Sequence, residues 1–396
     1  MLVGLSDRFG LTGGLSEPLA DARIRRSAHD PRQVLRDQAD LFGRVASDAT
    51  AWRVIAALDT ERLEFVRKAR ADARQAAWAA GARPSEIVLD IDSTLVTAHS
   101  DKEGAAPTYK RGYGFHPILC YLEGEALAGM LRPGNAGANC AAENIAVLVD
   151  ALDQLPAGIH EDAEAPILVR ADAAGCTHEF LDAVVEMGLS FSVSMPIDEP
   201  VRQAILTLSE SAWAVALRQD GSEREGAWVA ELVGLDLAAW PEGARAICRK
   251  ERPHPGAQLS FSDADGHRFQ VLLTNQQGDP VALEARHRAR ARVEDAIRAA
   301  KDSGLRNLPF REFAPNVAWL ELVLIAQDLT SWAQQLLLEG DLVRAEPKRL
   351  RYRLLHVAGR LTRSGRRLRL HLPEAWPWAG ALAAAFRRLG ALPAPG

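Results

Sequence analysis

Cysteine is scarce in this 396-residue chain, and its four copies, Cys120, Cys140, Cys176 and Cys248, form no C-x-x-C pair. That excludes a disulfide scaffold and the usual zinc spacings, and fits free thiols in a reducing compartment. No run of about 18 apolar residues occurs, so no membrane-spanning helix is expected. The opening MLVGLSDRFGLTGG lacks a basic stretch followed by a long apolar one, so no secretory signal is expected either. Internal repeats and low-complexity blocks are also missing. An excess of positive charge is absent, since the net charge is −5, which alone argues against a nucleic-acid partner. Distribution matters more than the sum. Between Arg344 and Arg369 stand ten Lys/Arg and one acid, Glu346, and a local basic face is enough to hold a polyanion.

What is present reads as a soluble α/β protein of several domains, with 47% hydrophobic and 25% charged residues. Residues 1–85 read as helical: Asp30-Pro31 marks a helix start, Ser47-Asp48 caps a helix through Trp52–Leu58, and a charged helix covers Glu61–Ala80. Ala80-Gly81-Ala82-Arg83-Pro84 breaks the pattern and sets a boundary. Ile87–Asp92 is a strand whose period of two puts Ile87, Leu89 and Ile91 on one face and Asp90 and Asp92 on the other. Tyr109–Pro117 and Ile118–Tyr121 follow as the second and third strands of a meander, with Lys110 and Arg111 as candidate phosphate contacts. A helix over 141–155 precedes a buried strand, Ile167–Asp172. A helix over 177–187 and a strand, Leu189–Val193, complete a βαβ unit with a parallel sheet. In such sheets the chemistry sits at the carboxyl ends of the strands, where Asp92 and Asp172 lie.

Residues 200–280 change texture to short β-like runs between Gly, Asp and Pro turns. They read as an inserted β-rich subdomain with Trp213, Trp228 and Trp240 in its core. His287–Lys301 then has no Gly or Pro and predicts a helix. Stepping about 100° per residue puts His287, Arg290, Glu294 and Lys301 on an arc of roughly 60° along about 21 Å. Val293, Ile297 and Ala300 form an apolar stripe beside it. The helix can pack on a core and still present one carboxylate flanked by cations. The bland alternative is a solvated helix with pairs such as Arg290–Glu294. Trp319–Leu338 predicts a buried helix, 341–370 a basic stretch, and Leu382–Leu389 a last short helix.

Asp92, Asp172 and Glu294 could together hold two Mg²⁺ or Mn²⁺ ions about 4 Å apart, hard cations that take oxygen ligands. Asp295 lies about 100° round the helix from Glu294 and should not join them.

These residues resemble the DDE transposases of bacterial insertion sequences, the cut-and-paste type with a ribonuclease H-like core. That group carries a Y-x2-R-x3-E-x6-K signature. Here His287-x2-Arg290-x3-Glu294-x6-Lys301 keeps the spacing, with His where Tyr is usual. Asp92-Ser93-Thr94 and Arg170-Ala171-Asp172 match the settings of its two aspartates. The likeness spans about 86–330 and includes a β-rich insertion between second Asp and Glu.

The resemblance implies a ribonuclease H-like mixed sheet with flanking helices, a β-rich insertion and helical N- and C-terminal regions. The segments are 1–85 (helical, DNA-binding), 86–199 and 281–340 (catalytic core), 200–280 (insertion) and 341–396 (basic). It implies strand cleavage at terminal inverted repeats and joining to target DNA. Catalysis and metal binding fall to Asp92, Asp172 and Glu294. DNA contacts fall to His287, Arg290, Lys301, Arg298, Lys110 and Arg111. A synaptic homodimer, no membrane partner, and a bacterial cytoplasmic, nucleoid-associated location go with it. The end-binding region is short near Gln33–Asp37.

Two rivals remain. Leu89-Asp90-Ile91-Asp92-Ser93-Thr94 also resembles the loop of haloacid dehalogenase-type phosphatases, with Asp90 as nucleophile and Asp92 as acid/base, but no later paired-Asp metal site follows. The other is a DNA-binding derivative that no longer catalyses. His116, His178 and Glu179 read as structural residues.

Overall fold

The computed structural model describes residues 1–16, 48–137, 139–159, 166–253, 263–264, 266–364 and 367–393. The helix start at Asp30-Pro31 and the short stretch near Gln33–Asp37 lie outside the described residues.

The strands that set the site are β1 (Val88–Ser93), β2 (Ile118–Leu122), β3 (Glu125–Met130), β4 (Leu168–Ala171) and β5 (Ser190–Met195). They lie in the order β3-β2-β1-β4-β5. The β3/β2 and β2/β1 pairs are antiparallel, and β1/β4 and β4/β5 are parallel. This mixed sheet with flanking helices is the ribonuclease H-like arrangement. The two parallel pairs need crossovers, supplied by α2 (Ala141–Leu152) before β4 and α3 (His178–Glu186) between β4 and β5.

The meander differs from the sequence reading. Tyr113–Phe115 leaves the main sheet and pairs with Val96–Thr97 and Ala106–Pro107 in a separate three-stranded sheet. The second core strand is therefore Ile118–Leu122, and the third, Glu125–Met130, was not foreseen. Its five buried residues in a row hide the alternation that marks a strand with one wet face.

The insertion continues the same sheet. Its longer strands are β6 (Ala214–Leu217), β7 (Glu223–Glu231), β8 (Arg245–Glu251) and β9 (His267–Thr274), and a two-residue strand, Asp263–Ala264, pairs with β9. β9 pairs antiparallel with β5, and β8, β7 and β6 follow outward in turn. Trp213 and Trp240 pack against the edge of the larger core, and Trp228 lies outside it. Each is half-buried. Lys250 stands over Trp213 and Trp228, and the Trp240 ring stacks on His178 at 4.0 Å.

The sheet faces divide as the period of two requires. On β1, Leu89 and Ile91 enter the larger core, while Asp90 and Asp92 face the other way. On β2, Leu119 and Tyr121 pack against a second core formed with Val293, Ile297, Ala300, Leu320 and Leu324. The apolar stripe read from the sequence is thus buried, at 2%, 7% and 0% exposure for Val293, Ile297 and Ala300. Burying three such side chains contributes on the order of several kcal/mol to docking this segment.

On the larger core, α1 (Thr60–Ala77) meets the long helix Phe313–Leu337 through a buried ion network. Arg74 pairs with Glu125 at 2.8 Å and Asp328 at 2.7 Å, and Arg70 pairs with Glu321 at 3.0 Å and Asp328 at 3.1 Å. Leu5, Phe9, Leu11 and Leu15 join the same core, and Phe9 meets Trp332 edge-on. The N-terminal helices are packed onto the sheet domain through these contacts.

Candidate active site

The register of the parallel pair brings two acids together. Asp90 stands beside Arg170 and Ile91 beside Ala171, so Asp92 and Asp172 follow at neighbouring strand ends, on strands spaced about 4.8 Å apart. Asp92 accepts from the Ser93 N–H at 2.8 Å. Asp172 caps the short turn that ends its strand, accepting from the Ala174 N–H at 2.9 Å. Both are half-buried.

The third acid comes from the segment after the insertion. It is not the single helix that composition predicts. Helix α4 (Pro280–Arg288) ends in a tighter turn at Ala289–Ala291, and helix α5 (Arg292–Ala300) starts beyond it. The backbone stays helical in sense, so the polar arc still faces the sheet. His287 bonds Ser192 Oγ through Nδ1 at 2.9 Å and Ser194 Oγ through Nε2 at 3.2 Å. Arg290 reaches Asp92 at 3.3 Å and donates to the Ile91 carbonyl at 3.4 Å. Lys301 donates to Thr94 Oγ1 at 2.7 Å. Glu294 is exposed beside them.

The bland Arg290–Glu294 pair is replaced by a long-range one. His287 is not a free donor: burial, then Arg290, Arg170 and Arg249, hold its pKa down to about 3, so its ring is neutral and spent on two serines of β5. Composition showed the helix but could not show which sheet atoms would claim its ring.

Other sequence candidates scatter. Lys110 and Arg111 lie on an exposed turn of the small sheet, Lys110 over the Tyr109 ring and Arg111 at φ 61°. Lys110 is near enough to lower the pKa of Lys301, after burial and Arg306. Arg298 turns away, pairing with Asp295 at 2.7 Å and Glu346 at 3.5 Å.

Asp90 is occupied. It is 6% exposed and takes two bonds of 2.7 Å from Arg170. A carboxylate clamped by a guanidinium fork is a poor nucleophile and has no open side for a substrate, which disfavours the phosphatase reading. Burial still pushes its pKa up, against the pull of Arg170.

His116, which the sequence marks as structural, is a buried neighbour of the site. It is 1% exposed and reaches Ser93 Oγ through Nε2 at 3.0 Å and the Ala136 carbonyl through Nδ1 at 3.0 Å. A carbonyl only accepts, so Nδ1 carries the proton and Nε2 accepts from the Ser93 hydroxyl. Ser93 and Thr94, next to Asp92, are thereby held from both sides. His116-Pro117 gives no spacing signal for this, because the contact crosses between a strand end and a loop.

Burial, with Asp172 and Glu294 adding to it, pushes the Asp92 carboxyl up to about 6 against the pull of Arg290 and the Ser93 N–H. Three acids distant in sequence therefore share one field. A cation suits such a donor set, since it offers only oxygen and has more negative charge than its surroundings favour. Yet among the described residues no three His, Cys, Asp or Glu side chains stand close enough to share one ion. The guanidinium of Arg290 is what neutralises Asp92 here. Beside it a cleft of about 750 Å³ opens between β5, β8, β9 and α4–α5, lined in part by Ser194, Arg249, Phe269, Arg288, Arg290 and Glu294.

Among the described residues no helix is long and apolar enough to cross a membrane. No curated protein matches the chain. A family model described as transposase DDE domain group 1 matches residues 17–394.

Proposed function

This chain belongs to the transposase DDE domain family, group 1, and on that premise we propose that it cleaves DNA strands at the ends of a mobile element and joins them to target DNA. The observation that carries this reading is the register that sets Asp92 and Asp172 at the neighbouring carboxyl ends of β1 and β4, with Arg290 of the Glu294 segment reaching Asp92. Asp92, Asp172 and Glu294 would hold two divalent ions, Mg²⁺ or Mn²⁺. Such ions, when bound, supply activation of the attacking oxygen and stabilisation of the leaving one.

The chain's own residues would do the rest. Arg290 and Lys301, on one segment against the strand ends, would grip backbone phosphates on either side of the acids. Lys110 and Arg111 extend that cationic path over the small sheet. His116 keeps Ser93 in place, and so the backbone N–H that fixes one Asp92 oxygen. DNA carrying terminal repeats is the partner, with a synaptic homodimer in the bacterial cytoplasm as its working form.

The test uses duplexes that contain the DNA flanking the protein's own reading frame. Glu294→Gln should abolish strand cleavage in Mg²⁺ and leave duplex binding largely intact. Cleavage near the unmutated level would contradict the assignment. Tight binding by the unmutated protein without any cleavage would favour a derivative that only binds DNA.

A further inference from the structure

Arg290 occupies an unusual position for a phosphate-gripping residue. Its guanidinium lies 3.3 Å from Asp92 Oδ1 and donates to the Ile91 carbonyl of the same strand. Its Nε is buried and makes no hydrogen bond among the described residues. The backbone around it is drawn into a tight turn, Ala289–Ala291, between two α-helices. Glu294, one turn later, is exposed and not yet close enough to Asp92 and Asp172 to share an ion with them. The first three of these facts concern Arg290 itself. Arg290 pairs with Asp92 while its own Nε stays unbonded among the described residues.

A guanidinium and a divalent ion compete for the same carboxylate oxygen, since each needs its lone pairs. A DNA phosphate competes with Asp92 for the same guanidinium, and offers it a bidentate partner. We propose that Arg290 is a latch: it holds Asp92 in the DNA-free molecule, and transfer of Arg290 to a backbone phosphate opens Asp92 to a divalent ion. This rests on the transposase reading and adds an order to it. DNA binds first, and metal and DNA reinforce each other's binding. Such reciprocity follows from linkage, because whatever removes Arg290 from Asp92 favours the ion by the same factor that the ion favours it. The latch would keep a strand-cutting centre unloaded until its substrate is seated.

The experiment reads metal position on the full chain, not DNA cleavage. Fe²⁺ replaces Mg²⁺, and added hydrogen peroxide is reduced at the ion to hydroxide and a hydroxyl radical that cuts the polypeptide next to it, while ascorbate returns Fe³⁺ to Fe²⁺. In the unmutated protein, cutting beside Asp92 should be weak with Fe²⁺ alone and rise about tenfold when an arbitrary-sequence duplex is added, within the usual 5–150-fold range of coupling. Arg290→Gln should cut strongly without DNA. Arg292→Gln removes a neighbouring cation that bonds Gln219 and not Asp92, and it should behave as the unmutated protein does. The proposal is overturned if DNA does not raise cutting, if Arg290→Gln does not release it, or if Arg292→Gln releases it equally, because a diffuse field would then explain the effect. The two readings fail separately. Strand cleavage with DNA-independent metal binding would remove the latch and keep the transposase. DNA-dependent loading without strand cleavage would keep the latch and remove the transposase.

Discussion

As a proposed metal ligand, Asp92 meets two opposed demands. A carboxylate that binds a cation has to be charged, yet this one is buried and faced by two other acids, which raise its pKa to about 6 from an ordinary 3.8. A raised carboxyl pKa means that the fold tolerates the proton better than the charge. Its contribution to stability is full below about pH 4 and is lost as the pH rises through about 6. Asp92→Asn removes that cost. In metal-free buffer it should stabilise the protein by about 1–3 kcal/mol above pH 6, with the gain fading as the pH falls toward 4. Denaturant unfolding across that pH range checks it. A loss of stability at neutral pH would mean that the ion pair with Arg290 outweighs the burial. Asp90, two residues earlier on the same face, shows why position alone could not choose between the two aspartates. The sequence places both on one face, and only the register of β4 gives Asp90 to Arg170, while Asp92 meets Arg290 instead.

At the scale of elements, periodicity reports faces and not partners. The polar arc of His287–Lys301 and its apolar stripe were legible, because a 3.6-residue repeat survives a short tightened turn. The break at Ala289–Ala291 was not, since Ala and Arg favour a continuous helix, and the bonds that flank the break, from His287, Arg288, Arg290 and Arg292, all reach residues distant in sequence. Strand β3 escaped notice for the opposite reason: all but its last residue is buried, so no alternation remains. The α1–Phe313–Leu337 junction was also invisible, because charged residues in a helix normally read as a wet face. Here Arg70, Arg74 and Asp328 are each at most 1% exposed. Removing Asp328 takes one of two carboxylate partners from each of two buried guanidinium groups and leaves the Ala126 N–H without its acceptor, so Asp328→Ala should cost about 3–5 kcal/mol in urea unfolding. A cost below about 1 kcal/mol would show that water or a neighbouring acid replaces it. In the same way, Ile297→Ala on α5 should cost about 2–4 kcal/mol and loosen the segment that carries Glu294.

For the whole molecule, net charge misleads and arrangement decides. The chain is acidic overall, but Arg290 and Lys301 stand against the end of β1, Lys110 lies near enough to act on Lys301, and the C-terminal hairpin Arg360–Ser364 with Arg367–His371 adds exposed cations. Arg360 and Arg369 are both exposed and not needed for packing. Reversing both to Glu should weaken duplex binding and reduce the slope of log affinity against log salt by about 2. An unchanged slope would place the DNA elsewhere. The sheet explains why the insertion was legible as β-rich but not as a continuation of the core. Strand propensity says that residues pair, and which edge they join depends on contacts between β5 and β9 almost eighty residues apart. That continuation builds the cleft beside Glu294.

The account stands on Asp92, Asp172 and Glu294 acting as one metal-holding set, and ligand softness tests it directly. Each is replaced in turn by Cys, and strand cleavage of the flanking-DNA duplex is measured in Mg²⁺ and in Mn²⁺. Mg²⁺ takes oxygen and avoids thiolate, whereas Mn²⁺ tolerates it better. The account predicts that all three variants lose cleavage in Mg²⁺ and that Mn²⁺ restores it at one or more positions. Full cleavage in Mg²⁺ by any of the three would contradict it.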